Sequence, residues 1–280
     1  MIVFYNSRYI PLEDVAISPF DRGFLFADGV YESIRTYSGK LFKFEEHLQR
    51  LKRSSNEIQV RYSKPEKLEE TIYELIKKNN IEKEALIYLQ ITRGLSFPRT
   101  HSFPAQDVEP TIFISASPFK SNNLEQKEGI KAILFKDIRW MRCDIKSVSL
   151  LPNVLANQKA KEAGAGEAIL VKEGLITEGT HTNFFAVKDN VLYTAPVSNN
   201  ILAGITRRVV IELASELNID VKEEFIKENE FKTYSEFFIT STKKEITPVV
   251  GIDNWIVGIG KPDKITVQLQ EAFKSLTNDY

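Results

Sequence analysis

Lys146 heads an uncharged run, SVSLLPNVLA, with Arg142 and Asp144 just before it. A lysine normally keeps its ammonium in water and is seldom buried without a partner. This one is either a solvated loop residue or an amine placed for chemistry in a shielded site. Desolvation favours the neutral amine, which condenses readily with an aldehyde to a Schiff base. Glu178, in LITEGTHTN, closes an expected strand and can aim its carboxylate at a ligand nitrogen; a simple turn with Gly179 reads equally well.

Three further stretches suit a phosphate. Gly204-Ile205-Thr206 opens an expected helix, where backbone N–H groups and the dipole favour an anion. Thr240, Ser241 and Thr242 cluster at the end of an apolar strand, and Arg50 flanks the apolar Leu48/Leu51 face with a fork that matches phosphate. Taken singly, these are equally a plain helix start, a turn cap and a solvated helix shoulder. Arg99 and His101 are bracketed by Pro98 and Pro104, so the segment is extended. Residues two apart then share a face. Both side chains can converge on one carboxylate, the arginine through two parallel hydrogen bonds. An aldehyde carrying a phosphate and a pyridine nitrogen, pyridoxal 5′-phosphate, accounts for Lys146, Glu178 and the phosphate-type groups at once.

The elements that must position these groups are short. IVFYNSRYI and VYESIRTYSGKLFKF read as hairpins turning at Asn6-Ser7 and Ser38-Gly39. EEHLQRLKRSSNEI and KLEETIYELIKKNN have helical periodicity, and ALIYLQITRG and TIFISASP are apolar, β-branched strands. FKSNNLEQKEG has no apolar period and reads as a linker. Beyond it come the strand IKAILF and the helix LPNVLANQKAKEAG, stopped by Gly164. Hairpins follow, turning at Glu173-Gly174 and Asp189-Asn190, then the helix GITRRVVIELASELN, the strands VKEEF and EFFITST, and a closing helix around Ile265 to Leu276. Strands dominate and helices do not alternate with them regularly, which predicts an α+β fold in two lobes. The expected domains are a smaller one over 1–118, a linker over 119–128, and a larger one over 129–280 that carries Lys146.

Composition excludes several classes. The chain is 42% hydrophobic and 27% charged, a globular profile. Its 37 basic and 38 acidic residues leave no electrostatic footprint for nucleic acid or an anionic membrane. A single cysteine, Cys143, forbids an internal disulfide, fits a reducing cytoplasm and reads as a small buried thiol. With three scattered histidines it makes no metal site. No apolar run reaches membrane-spanning length, and MIVFYNSRYIPLED is not a signal peptide.

Eight ordered stretches resemble the fold-type-IV pyridoxal-phosphate aminotransferases, and the D-amino-acid aminotransferases among them most closely. They are DRGFLFADGVYE (21–32), HLQRL (47–51), TRG (92–94), PRTH (98–101), DIRWMRCDIKSVSLL (137–151), TEG (177–179), GITR (204–207) and TSTKKEITPV (240–249). The Pro-Arg-x-His segment separates this branch from the branched-chain L-aminotransferases, the alternative within the superfamily. A non-enzymatic binding module, with Lys146 merely solvated, is the alternative of another class.

The resemblance implies roles. Lys146 would hold pyridoxal 5′-phosphate and move the substrate proton, and Glu178 would face the pyridine nitrogen. Arg50, Ile205, Thr206 and Thr242, with Ser241 beside them, would bind the phosphate, and Leu202 would pack on the ring. Tyr31, Arg99 and His101 would hold the substrate α-carboxylate. Substrates would be D-amino acids such as D-alanine and D-glutamate with 2-oxo acids such as 2-oxoglutarate and pyruvate. A cytoplasmic homodimer with shared sites is implied, the pocket at the domain junction being completed by a loop of the second subunit. The chain departs from the family pattern in one extra residue between Gly94 and Pro98, and in His181 where small serines are usual.

Overall fold

The computed structural model describes residues 1–62, 65–104 and 108–280. The chain folds as two compact units: Met1–Lys120 with Ile145–Ser149 and Tyr280, and Ser121–Asp144 with Leu150–Asp279.

The first unit contains β1 (Ile2–Tyr5), β2 (Arg8–Pro11), α1 (Arg22–Phe26), β3 (Gly29–Tyr37), β4 (Lys40–Leu41), α2 (Phe44–Glu57), α3 (Leu68–Lys78), β5 (Ala85–Thr92) and β6 (Thr111–Pro118). Its sheet is antiparallel throughout, in the order β2-β1-β6-β5-β3-β4. Both anticipated hairpins form, with positive φ at Asn6, Ser7, Ser38 and Gly39. Two consecutive left-handed residues give a turn whose twist matches the flanking strands. Helices α2 and α3 lay Leu48, Leu51, Leu68, Ile72 and Leu75 on the inward side chains of β3, β5 and β6, among them Ile34, Leu89 and Ile114.

The second unit contains α4 (Asn123–Glu128), β7 (Ile130–Lys136), α5 (Leu151–Glu162), β8 (Glu167–Lys172), β9 (Leu175–Gly179), β10 (Asn183–Lys188), β11 (Val191–Thr194), α6 (Ile205–Glu216), β12 (Val221–Glu223), β13 (Ile226–Lys227), β14 (Glu236–Ser241), β15 (Glu245–Ile252), β16 (Trp255–Ile256) and α7 (Lys264–Asn278). The mixed sheet runs β12-β11-β10-β14-β15-β7-β8-β9-β13, and β16 pairs with β15. Its core is aromatic, with Phe184 stacked on Phe237 at 5.4 Å and Phe185 on Phe238 at 4.8 Å. Among the described residues no helix is long and apolar enough to cross a membrane. The α+β class is as expected.

Three features differ from the sequence reading. The stretch expected as a plain linker forms α4, where Gln126 donates to Glu245 at 2.7 Å and accepts from Gln270 through its carbonyl. Its partners lie more than a hundred residues downstream, so no local period announces them. Lys146, expected with the larger domain, belongs to the first unit. Its carbonyl accepts from Tyr31 N at 3.0 Å, Val148 N donates to Gly29 O at 3.1 Å, and Ser147 forms a bridge with Val30. Backbone pairing along β3 thus detaches 145–149 from its sequence neighbours. Finally, the sequence reading contains no strand over β15, which includes Pro248, a residue that cannot donate to a ladder. The strand accommodates it: pairing with β7 starts only at Val249 and slips before Gly251.

Candidate active site

In the first unit the segment 145–149 places Lys146 against β3. Its Nζ lies 4.3 Å from the centroid of the Tyr31 ring, and its backbone N–H donates to Ser54 Oγ at 3.2 Å. Tyr31 and Glu32 are neighbours on β3, and their side chains leave opposite faces of the strand. Buried Glu32 receives Arg50 through both Nε and Nη2, each at 2.8 Å, and His47 Nδ1 at 2.7 Å. Burial alone would raise the Glu32 pKa; the Arg50 guanidinium and His47 outweigh it and hold the carboxyl well below the usual range. An ionised carboxylate only accepts, so Nδ1 of His47 carries the shared proton. Burial, reinforced by the charges of Arg50 and Lys146, lowers the His47 pKa despite Glu32. The ring is therefore neutral at physiological pH.

Arg99 and His101 both lie against the ring of Phe26. The Arg99 guanidinium lies 4.5 Å from the Phe26 ring centroid, and the His101 ring 5.4 Å from the same centroid. Both side chains are exposed.

In the second unit Glu178 is buried at the end of β9. It accepts Arg139 Nη1 at 2.5 Å, Asn183 Nδ2 at 3.0 Å and Leu202 N at 3.1 Å. Burial pushes its carboxyl up to about 7, against the opposing pull of Arg139. Asp137 grips the other side of Arg139, with Oδ1 at 3.0 Å from Nε and Oδ2 at 2.8 Å from Nη2. Asn183 links the pieces: Nδ2 also donates to Leu202 O at 2.8 Å. A Cβ on Gly204 would lie 2.0 Å from Asn183 Oδ1, so glycine is required where this loop enters α6. No side chain caps α6, and its first residues are Ile205 and Thr206. Thr240, paired with Asn183 across β14 and β10, has a buried Oγ1 with no partner among the described residues. Ser241 accepts Lys244 N at 3.2 Å, as a turn cap does, and Thr242 follows it.

This donor set fits the cofactor. A buried carboxylate whose pKa remains high despite an arginine gains from one more cationic N–H, which is what a protonated pyridine nitrogen presents. An uncapped helix start, and a buried threonine hydroxyl with no partner among the described residues, each suit an oxyanion.

Sequence reasoning missed Glu32, His47, Asp137, Arg139 and Asn183. A charged residue inside the apolar β3 run was the available signal for Glu32. The other four are ordinary polar residues until the fold supplies their partners. His181 is exposed on its loop, with Nδ1 2.9 Å from Thr180 Oγ1. Cys143 is buried, its thiol pushed up to about 11 by burial, and donates to Trp140 O at 3.2 Å.

The amino-transferase class IV family pattern matches residues 29–252. The D-alanine aminotransferase of Staphylococcus haemolyticus is 44% identical over 272 residues, covering 97% of this chain and 96% of that protein. Among solved structures, the branched-chain amino acid aminotransferase of Escherichia coli superposes with a TM-score of 0.91 at 28% identity, covering 99% of this chain and 95% of that one. The branched-chain amino acid aminotransferase of Thermobaculum terrenum, solved in its PLP form, gives 0.87 at 26% identity, covering 99% and 94%.

Proposed function

Since the chain belongs to the amino-transferase class IV family and is therefore an enzyme of transamination, we propose that it exchanges amino groups between D-amino acids, such as D-alanine and D-glutamate, and 2-oxo acids, such as 2-oxoglutarate and pyruvate, with pyridoxal 5′-phosphate as cofactor. Membership of an aminotransferase family sets aside the reading of the chain as a non-enzymatic binding module. The observation that carries the D-specific reading is the convergence of Arg99 and His101 on Phe26, in a Pro-Arg-x-His segment that the branched-chain enzymes are not expected to carry. The high identity with a D-alanine aminotransferase supports it.

When bound, the cofactor supplies an electron sink for the charge left at the substrate Cα. Lys146 Nζ is the amine that binds the cofactor aldehyde and moves the Cα proton. Glu178 stabilises the proton on the ring nitrogen, and Arg139 and Asn183 hold Glu178 in place. Arg50, the N–H of Ile205, Thr206, Ser241 and Thr242 bind phosphate oxygens, and Leu202 packs on the ring. Tyr31, Arg99 and His101 bind the α-carboxylate. A single lysine serves one face of the cofactor, so the position of the pinned carboxylate sets handedness.

The unit of function is a homodimer with shared sites, consistent with the exposed apolar side chains Phe24, Leu95 and Phe97 around the Arg99 loop. A reducing cytoplasm suits the single cysteine. The second reading, an L-branched-chain aminotransferase, is favoured by the superposition on the Escherichia coli enzyme. Assay of D-alanine against L-leucine with 2-oxoglutarate decides: faster turnover of D-alanine is expected, and exclusive use of L-leucine would promote the branched-chain reading.

A further inference from the structure

The segment from Pro98 to Pro104 has no ladder partner, and the carbonyls of Thr100, His101 and Ser102 find donors elsewhere. One buried side chain supplies them. Arg22, the first residue of α1, donates through Nη1 to Thr100 O at 2.8 Å and to Ser102 O at 3.3 Å, and through Nη2 to His101 O at 3.5 Å. Its Nε donates to Asp28 Oδ2 at 2.9 Å, and its guanidinium lies 4.8 Å from the Phe26 ring centroid. Asp28 is fixed in turn by Arg93, through Nε at 2.7 Å and Nη2 at 2.9 Å, and Arg93 also donates to Gln59 O at 2.9 Å and lies over the Phe103 ring. The carbonyls of residues 100–102 are thus tied to a buried guanidinium while the Arg99 and His101 side chains remain exposed.

We propose that Arg22, locked by Asp28, is a positioning residue that shapes the 99–102 backbone so that Arg99 and His101 present one carboxylate-binding face. The proposal rests on the reading of Arg99 and His101 as α-carboxylate ligands. Arg22 acts only through the loop and touches no reacting atom. Lysine in its place keeps the charge facing Asp28 but cannot also span three carbonyls, because only the guanidinium offers donors in a fixed fork. The single residue inserted before Pro98 makes such a tie more consequential, since a longer loop has more shapes to exclude.

The test uses the cofactor-loaded full-length protein. Arg22→Lys should raise KM for D-alanine about tenfold or more while kcat stays within about threefold, the pattern of lost uniform binding. Arg99→Ala is measured beside it. If Arg99→Ala raises KM and Arg22→Lys does not, the positioning role is wrong and the carboxylate trap stands. If Arg99→Ala leaves KM unchanged, the trap itself is wrong. Equal losses of kcat and thermal stability in Arg22→Lys, with KM unmoved, reduce Arg22 to a core ion pair and overturn the proposal. Should Arg22→Lys fail to fold, Asp28→Asn, which loosens the clamp but leaves Arg22 in place, carries the same expectations and the same refutations.

Discussion

Lys146 and Tyr31 are locked together twice, once through the backbone hydrogen bond from Tyr31 N to Lys146 O at 3.0 Å and once through the ammonium lying 4.3 Å from the phenol ring. The first contact fixes the lysine backbone beside β3; the second sets the direction in which the amine points. A cation over a ring face gains roughly 0.5–2 kcal/mol depending on its desolvation. That is enough to bias the amine toward one orientation without trapping it, which a group that must bind an aldehyde and then move a proton requires.

Borohydride reduction of the protein loaded with pyridoxal 5′-phosphate should fix the cofactor to the peptide containing Lys146. Lys146→Ala should lower transamination by at least about 10²-fold, the lower limit for a positioned base, with its circular dichroism unchanged. Labelling of another lysine with Lys146 left free would refute the assignment.

Glu178→Gln replaces a charge-assisted acceptor with a neutral amide. Such bonds contribute ~1.5–3 kcal/mol, so turnover should fall by about 10- to 150-fold. The carboxyl also predicts a pH dependence in the cofactor-free protein. Burial raises its pKa from 4.5 to about 7, so between these values the folded chain binds more protons than the unfolded one. Stability contributed by this group is fully present below pH 4.5 and is lost as pH rises through about 7. Urea denaturation should therefore show wild type losing ground to Glu178→Gln across that window and holding level above it. A difference that grows in wild type's favour with rising pH would show that Arg139 dominates over burial.

Glu32 is the counter-charge for Arg50 and the acceptor for His47. Glu32→Ala strands a buried guanidinium, and breaking such a pair from one side costs about 3–5 kcal/mol. The midpoint of urea unfolding should drop accordingly, and the affinity for pyridoxal 5′-phosphate should fall as Arg50 loses its fixed direction. Unchanged stability would mean that Arg50 finds water or another acceptor without penalty.

A shared site can be tested by complementation. Lys146→Ala and Arg99→Ala homodimers should each be inactive or badly impaired. Co-refolded hybrids regain activity if Arg99 serves the neighbouring subunit, because one site then holds an intact lysine and an intact arginine. No recovery in verified hybrids would place Arg99 in the site of its own chain.

The local features were legible in the sequence because local chemistry dictates them. The Asn6-Ser7, Ser38-Gly39, Glu173-Gly174 and Asp189-Asn190 turns each place two residues at positive φ, and each contains a Gly, Asn or Asp that tolerates it. The faces of α2 and α3 follow from the spacing of their leucines and isoleucines, whereas the uncharged run after Lys146 is not a shielded segment, since Leu151, Val154 and Leu155 are exposed. Tertiary structure alone decided which unit holds that lysine, since pairing with Gly29 and Tyr31 overrides its position in the chain. It also decided the partners of the charged groups: Arg50 finds Glu32 across 18 residues, and Arg139 finds Glu178 across 39. A turn or a helix face depends on residues within one or two turns of chain. A buried ion pair depends on which distant segments share a low-dielectric space, and no local spacing encodes that.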